Sequence, residues 1–347
     1  MVSATEKRKA EHIKLCIEKD VSFKEKSTLL ECVELNYKTL PEISFHDVDL
    51  STDFLGKFFS FPFIVSGMTG GAQVAKKINS DVALACQKAG IGMGVGSMRA
   101  MLEKPSLADT YFVRDVAPDI FLAGNIGAAQ LKEYSPKEVE EALSAIEANA
   151  LAIHLNAAQE AMQPEGDLDF SGVIEKIAEY ADTISVPVYV KEVGHGISFE
   201  VVNLLKQTKI KAVDVQGAGG TSWAYIDALR KKTGFKDTFR EFGLPTSVSV
   251  IETKNALQGT KKIVASGGIR NGLEAVKAIV LGADMVGEAM PILKAQQKGG
   301  SKAVFNYLEH TKQEMQITAF LLGCKNISEL QKQPYVVFGR LKEWLNQ

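Results

Sequence analysis

Eight short apolar runs, each breaking into glycine and polar residues, pattern the chain from Phe61 onward. They are Phe61–Ser66, Ile91–Val95, Ile120–Asn125, Ala152–Leu155, Val188–Val193, Ala212–Val215, Ile263–Ser266 and Met285–Gly287. Continuous β-branched and aliphatic runs of this length suit strands buried on both faces, as parallel strands are. The first three steps between run ends come close to the roughly 30 residues of a strand–helix–strand unit. Helix signals lie between the runs. Ser135-Pro136-Lys137-Glu138 sets an N-cap, a proline at the first helical position and a capping-box glutamate in register. Asn271-Gly272-Leu273-Glu274 does similar work before Ala275–Leu281. The pattern predicts an α/β fold, a (β/α)8 TIM barrel with an N-terminal helical extension. A doubly wound open sheet is the rival, but it does not usually carry eight parallel strands at such spacing.

Around the barrel, residues 1–57 read as an arm packing on it, 58–310 as the barrel and 311–347 as a C-terminal helical extension, all in one structural domain. Glu6–Lys19 predicts a helix with Ile13 and Ile17 on one face and Arg8 and His12 on another. The sixth connection, Gln216 to Lys262, is the longest and reads as a partly mobile insertion at the rim.

The 347 residues are 46% hydrophobic and 24% charged, as in soluble globular proteins, and the formal net charge is −2. That balance argues against a body built to neutralise nucleic-acid phosphates. Cys16, Cys32, Cys86 and Cys324 lack C-x-x-C spacing and read as reduced thiols of a cytoplasmic protein. The start, Met-Val-Ser-Ala-Thr-Glu-Lys-Arg-Lys, has no apolar core of a signal peptide, and no run is long enough to span a membrane.

In such a barrel the chemistry gathers where strands end. The fourth run ends in His154, and Asn156, Gln159, Glu160 and Gln163 follow at once, a poor core and a plausible site. Ser66-Gly67-Met68-Thr69-Gly70-Gly71 lets backbone N–H groups approach a flat or anionic ligand, or is simply a flexible turn. Gly96-Ser97-Met98-Arg99 offers a hydroxyl and a guanidinium, suited to phosphate or to a surface ion pair. Asn125 stands ready to bond a ring edge, and Lys191 inside an apolar run is costly unless paired. Gln216-Gly217-Ala218-Gly219-Gly220-Thr221-Ser222-Trp223 is a further glycine-rich turn with hydroxyls. Ser266-Gly267-Gly268-Ile269-Arg270 and Gly287-Glu288-Ala289-Met290 follow the last two runs, where this barrel class holds phosphate. The set suits a flavin mononucleotide across the barrel mouth. Arg8, Lys9, Ser97 and Arg99 form a candidate second anion site, although Lys7-Arg8-Lys9 alone reads as a solvated helix end. The five histidines show no zinc spacing. Glu160 is either a helix-start glutamate or the single carboxylate of a Mg²⁺ held with water and substrate phosphate.

These motifs closely resemble the type 2 isopentenyl diphosphate isomerases. The likeness rests on Arg8-Lys9-x-x-His12, Met68-Thr69-Gly70-Gly71, Gly96-Ser97-x-Arg99, His154-x-Asn156-x-x-Gln159-Glu160 and Gln163-Pro164-Glu165-Gly166-Asp167. It extends through Lys191-Glu192-Val193-Gly194, Gly219 to Trp223 and Ser266 to Arg270, in order, from residue 8 to about 290. Met98 and Ala157-Ala158 depart from common family patterns, which touches the pocket's shape more than the reaction. The resemblance implies an enzyme of isoprenoid biosynthesis that interconverts isopentenyl diphosphate and dimethylallyl diphosphate with FMN, Mg²⁺ and a reductant such as NADPH. FMN would touch Gly67, Met68, Thr69, Ser97, Asn125, Lys191, Thr221, Gly268, Ile269, Arg270, Ala289 and Met290. The substrate would meet Arg8, Lys9, His12, Ser97, Met98, Arg99, His154, Asn156 and Gln159. Glu160 would hold Mg²⁺, and Gln159, His154 and Glu160 would carry the catalytic roles. A homotetramer or homo-octamer is implied.

The reaction moves a double bond without net redox change, and charge builds on a tertiary carbon. A reduced flavin face is a suitable electrostatic partner for that charge and the first candidate proton donor through N5 or N1. Gln159 would orient a proton, and His154 is the titratable neighbour. The rivals are an FMN-dependent barrel oxidoreductase of the 2-hydroxy acid oxidase type, an inosine monophosphate dehydrogenase, a tRNA-binding flavin barrel and a non-catalytic flavin sensor. The first needs a late-strand histidine base and the second a loop cysteine, and Gly217–Trp223 offers neither.

Overall fold

The computed structural model describes residues 4–231 and 237–346. The eight runs form strands β1 (Phe63–Val65), β2 (Gly92–Gly94), β3 (Leu122–Gly127), β4 (Ala150–His154), β5 (Val188–Lys191), β6 (Ala212–Asp214), β7 (Lys262–Ser266) and β8 (Met285–Glu288). They pair in chain order, and β8 pairs in parallel with β1 to close the barrel. All residues of β1 to β6 and of β8 are buried. Side chains fill the interior while helices cover the outside, so the runs are apolar throughout rather than alternating. The helix Pro136–Ala145 starts on the capping box of Ser135 and Glu138, and Asn271 caps Gly272–Leu281 through the Glu274 N–H.

The N-terminal ends of the strands serve stability. A hairpin of Thr52–Phe54 and Lys57–Phe59 brings Phe54 and Phe59 against Phe121, just before β3, with ring centroids 5.6 to 6.1 Å apart. Such edge-to-face and tilted pairs add to the burial of large apolar area. The opposite rim is left for chemistry.

Three expectations change. The arm helix spans Ala4–Glu18, but Ile17 is 41% exposed while Ile13 and Cys16 are buried. The helix turns Lys9, His12, Ile13 and Cys16 inward, the i, i+3, i+4, i+7 stripe, so Ile17 falls outside it. The sixth connection folds into Trp223–Lys231 and Thr246–Leu257, and its expected mobility partly concerns residues 232–236, outside the described residues. It is anchored by Arg240, whose guanidinium stacks 3.9 Å from the Tyr225 ring centroid and donates to the Ser22 carbonyl. The C-terminal segment is not only helical. The helix Met290–Leu321, kinked at Gly299 and Gly300, crosses residue 311, and Tyr335–Val337 then pairs antiparallel with Val33–Leu35.

Candidate active site

The C-terminal ends of neighbouring strands place four polar side chains side by side. His154 is opposite Gly127 and Lys191, and Lys191 is opposite Asp214. Asn125 Nδ2 donates to the Val95 carbonyl at 3.2 Å, so its Oδ1 accepts from His154 Nδ1 at 2.9 Å. His154 thereby presents the Nε2 lone pair. Burial, then the charges of Lys191, Lys9 and Arg8, lowers its pKa to about 3, and the ring is neutral. The Lys191 ammonium donates to the Glu192 carbonyl at 2.7 Å, and burial lowers its pKa against the pull of Asp214. Burial raises that of Asp214, which accepts from Ser266 Oγ at 2.5 Å and Gln216 Nε2 at 3.0 Å.

The short helix Ala157–Met162 carries the next group. Gln159 Nε2 donates to Asp227 Oδ2 at 2.9 Å. Asp227 also takes His12 Nε2 at 2.8 Å and Arg230 Nη1 at 2.7 Å. Burial opposes its ionisation, but these donors outweigh it and hold the carboxyl below its ordinary value. Asp227 thus fixes the Gln159 amide through Nε2, and its Oε1 accepts only a long bond from Asn156 Nδ2 at 3.5 Å. Glu160 accepts from Asn156 Nδ2 at 2.8 Å, the Asp167 N–H at 2.9 Å and Gln163 Nε2 at 3.1 Å. Burial still pushes its pKa up. A cation beside Glu160 would relieve that cost. Among the described residues no three His, Cys, Asp or Glu groups gather as a cage, so a Mg²⁺ here would need water and ligand oxygens as well.

The arm helix lies across the mouth of its own barrel. Lys9 Nζ donates to the Ser97 carbonyl at 2.5 Å and to Tyr111 Oη at 3.1 Å. Burial, then neighbouring Arg8, lowers its pKa to about 7. Arg8 lies 3.7 Å from Glu165, and Arg99 contacts Glu103 at 3.0 Å and Glu133 at 3.5 Å.

On the opposite side, the turns after β7 and β8 offer backbone. Among the described residues, the N–H groups of Gly268, Ile269 and Ala289 meet no acceptor. Gly268 has φ +80°, and a Cβ there would sit 2.5 Å from Thr28 Cγ2, so only glycine fits this turn. Between the two sides lies a cavity of about 1480 Å³ of atom-free space, its open mouth included. Ser66 Oγ, Gln130 Nε2, Asn156 Oδ1 and Glu288 Oε1 are buried without partners, and all four residues line it. Buried polar atoms are rarely left unpaired without a ligand or water to meet them. The free N–H groups, the glycine seat and these orphans fit a flavin phosphate at one end and a ring across the mouth.

Every residue given a flavin, substrate, metal or catalytic role in the sequence lines this cavity except Met98. Met98 is fully buried behind it, its sulfur against Gly124, and only its backbone takes part, donating to the Asn125 carbonyl at 2.7 Å. The sequence reading missed Asp214, Gln130 and Asp227. Asp214 carried the same signal as Lys191, a charge inside an apolar run. Asp227 carried none, since an aspartate in a helix ordinarily faces water. His195 is no free base: its Nδ1 pairs with the Phe242 carbonyl at 2.7 Å and its Nε2 takes the Ala224 N–H at 3.3 Å.

Comparison with known proteins agrees with this geometry. The FMN-dependent dehydrogenase family matches residues 3–107 and 123–337. The isopentenyl-diphosphate delta-isomerase of Pyrococcus abyssi is 44% identical over 98% of this chain and 94% of its own. That of Methanosarcina mazei is 42% identical over 100% of this chain and 96% of its own. Among solved structures, a lactate oxidase of Pediococcus acidilactici superposes with TM-score 0.70 at 17% identity, covering 96% of this chain and 93% of its own. A flavocytochrome b2 variant with sulfite bound gives 0.71 at 20%, covering 94% and 82%. These distant structures share the fold, and the oxidase reading has no more than that behind it. The chain belongs to the FMN-dependent dehydrogenase family and, within it, to the isopentenyl-diphosphate delta-isomerases.

Proposed function

We propose that the chain carries out its family's isomerisation in the barrel mouth, with FMN on the side of β7 and β8 and the substrate diphosphate beneath the arm helix. The observation that carries this is the meeting, in one cavity, of a backbone anion seat with a separate cluster of Arg8, Lys9 and Arg99. Thr69, Asn125, Lys191 and Thr221 would hold the flavin ring and chain, with Gly67 and Met68 beneath them. Gly268 to Arg270, Ala289 and Met290 would hold its phosphate, and Ser97 would stand between the two ligands. Bound and kept reduced by a donor such as NADPH, FMN would supply an electron-rich face and a proton.

The chain's own groups would do the rest. Glu160 would hold Mg²⁺ together with diphosphate oxygens. Arg8, Lys9, His12, Arg99, His154 and Asn156 would exchange their present partners for the diphosphate. Gln159, fixed through Nε2 by Asp227, would use Oε1 to steer the proton leaving C2 of the substrate while another adds at the terminal methylene carbon. Trp223 and the arm helix would keep water from the developing positive charge.

The test is to give the yellow protein isopentenyl diphosphate and Mg²⁺, with and without reductant. Dimethylallyl diphosphate formed only under reducing conditions supports the proposal. Isomer formed equally by colourless protein would remove FMN from the reaction.

A further inference from the structure

Glu288 ends β8 and is 3% exposed. Gly287 before it faces Ser66 and Ser266 inside the barrel, so strand alternation turns Glu288 outward, against the kinked helix. There Tyr307 Oη donates to Oε2 at 2.6 Å, while Oε1 meets no partner. Even so, the residue lines the mouth cavity next to Gly268, Ile269, Arg270, Ala289 and Met290. An ionised carboxylate in this position would leave one buried oxygen unsatisfied, whereas a protonated one has an O–H to give.

The surroundings favour the protonated form. Tyr307 and Glu314 face it from the kinked helix, Arg270 from the turn after β7 and Glu274 from the helix Gly272–Leu281. Glu274 and Glu314 are carboxylates tied to the Arg270 and Gly272 N–H groups at 2.8 and 2.6 Å. Burial lifts the Glu288 pKa to about 7, with Glu274 and Glu314 adding to it and Tyr307 and Arg270 opposing.

We propose that Glu288, as a neutral carboxylic acid, donates a hydrogen bond to the FMN phosphate, so that the protein binds the flavin together with one proton. This rests on the flavin site proposed above. The phosphate charge would raise the affinity of Glu288 for its proton further. Above neutrality, binding would then require proton uptake, and affinity would fall with pH.

The experiment is a titration of the flavin-stripped full chain with FMN and with riboflavin, followed by flavin fluorescence from pH 6 to 9. Relative to Glu288→Gln, which keeps a donor but cannot titrate, the wild-type Kd for FMN should climb by up to about tenfold per pH unit above neutrality. Riboflavin, lacking the phosphate, should show no such difference. Tyr307→Phe removes a hydrogen bond that holds the Glu288 pKa down, so the climb should begin at higher pH. That shift carries the test alone if the glutamine variant does not fold. Parallel FMN slopes in wild type and Glu288→Gln, an unmoved onset in Tyr307→Phe, or the same difference with riboflavin overturns the role of Glu288 and leaves the flavin site standing. Wild-type protein that binds no FMN at any pH overturns both.

Discussion

The two anion ends of the mouth are built on opposite plans. The end near β7 and β8 is mostly main chain: N–H groups of Gly268, Ile269 and Ala289 that meet no acceptor among the described residues, packed from behind by Thr28, with Glu288 beside them. The end under the arm helix is made of long side chains, each already holding a protein partner. Lys9 is on Ser97 and Tyr111, Arg8 by Glu165, and Arg99 between Glu103 and Glu133. A backbone seat needs no rearrangement and suits a group that stays. Borrowed side chains must release one acceptor to take another, which limits net affinity and suits a group that comes and goes. Under the proposed function, the first plan would serve the resident cofactor and the second the substrate.

The contrast breaks most sharply at Glu160. Glu160→Gln should cost two to three orders of magnitude in kcat, about 3–4 kcal/mol of barrier, and blunt the response to Mg²⁺ while leaving FMN bound. A variant whose turnover is unchanged across a Mg²⁺ titration would refute the metal role. Next is Asp227→Asn, which robs Gln159, His12 and Arg230 of a shared charged acceptor. A hydrogen bond to a charged group is worth roughly 1.5–3 kcal/mol, so kcat should drop by about one to two orders of magnitude with the FMN Kd unmoved. If flavin affinity falls in step with kcat, the two ends are not separate. Smaller is a pH effect at the substrate end. Lys9, near 7 in the free protein, loses its charge as pH rises past neutrality, so KM for the diphosphate should climb there by up to about tenfold per pH unit. Lys9→Arg should flatten that rise, and an identical KM profile would show that Lys9 does not meet the diphosphate. The smallest effect belongs to neither end. Ser135→Ala removes an N-cap and should cost about 1 kcal/mol of stability by chemical denaturation, with both affinities intact.

The barrel was legible because doubly buried strands cannot alternate, and each of the eight runs became a strand within a few residues of its expected ends. The cavity wall was legible where strand ends turned polar, as at His154 and Lys191. What stayed hidden depended on long-range partners. Asp227 looks like a solvated helix residue until the arm helix and Gln159 arrive 215 and 68 residues away in sequence. Met98 sits within a motif of ligand-binding residues, yet helix geometry sends its side chain into the core behind Gly124. Ile17 shares an apolar spacing with Ile13, but the cavity chose the neighbouring stripe.

The ribbon of Val33–Leu35 and Tyr335–Val337 pins the tail of the molecule beside the segment that packs under the β7 and β8 turns, the proposed flavin end. Just ahead of that ribbon, Thr28 abuts Gly219 and Gly268, its carbonyl takes the Ser247 N–H at 3.0 Å, and the Leu30 carbonyl takes Lys277 Nζ at 3.0 Å. Trimming the chain before Tyr335 would therefore be felt far from the cut, as a yellow colour that washes out more readily during purification.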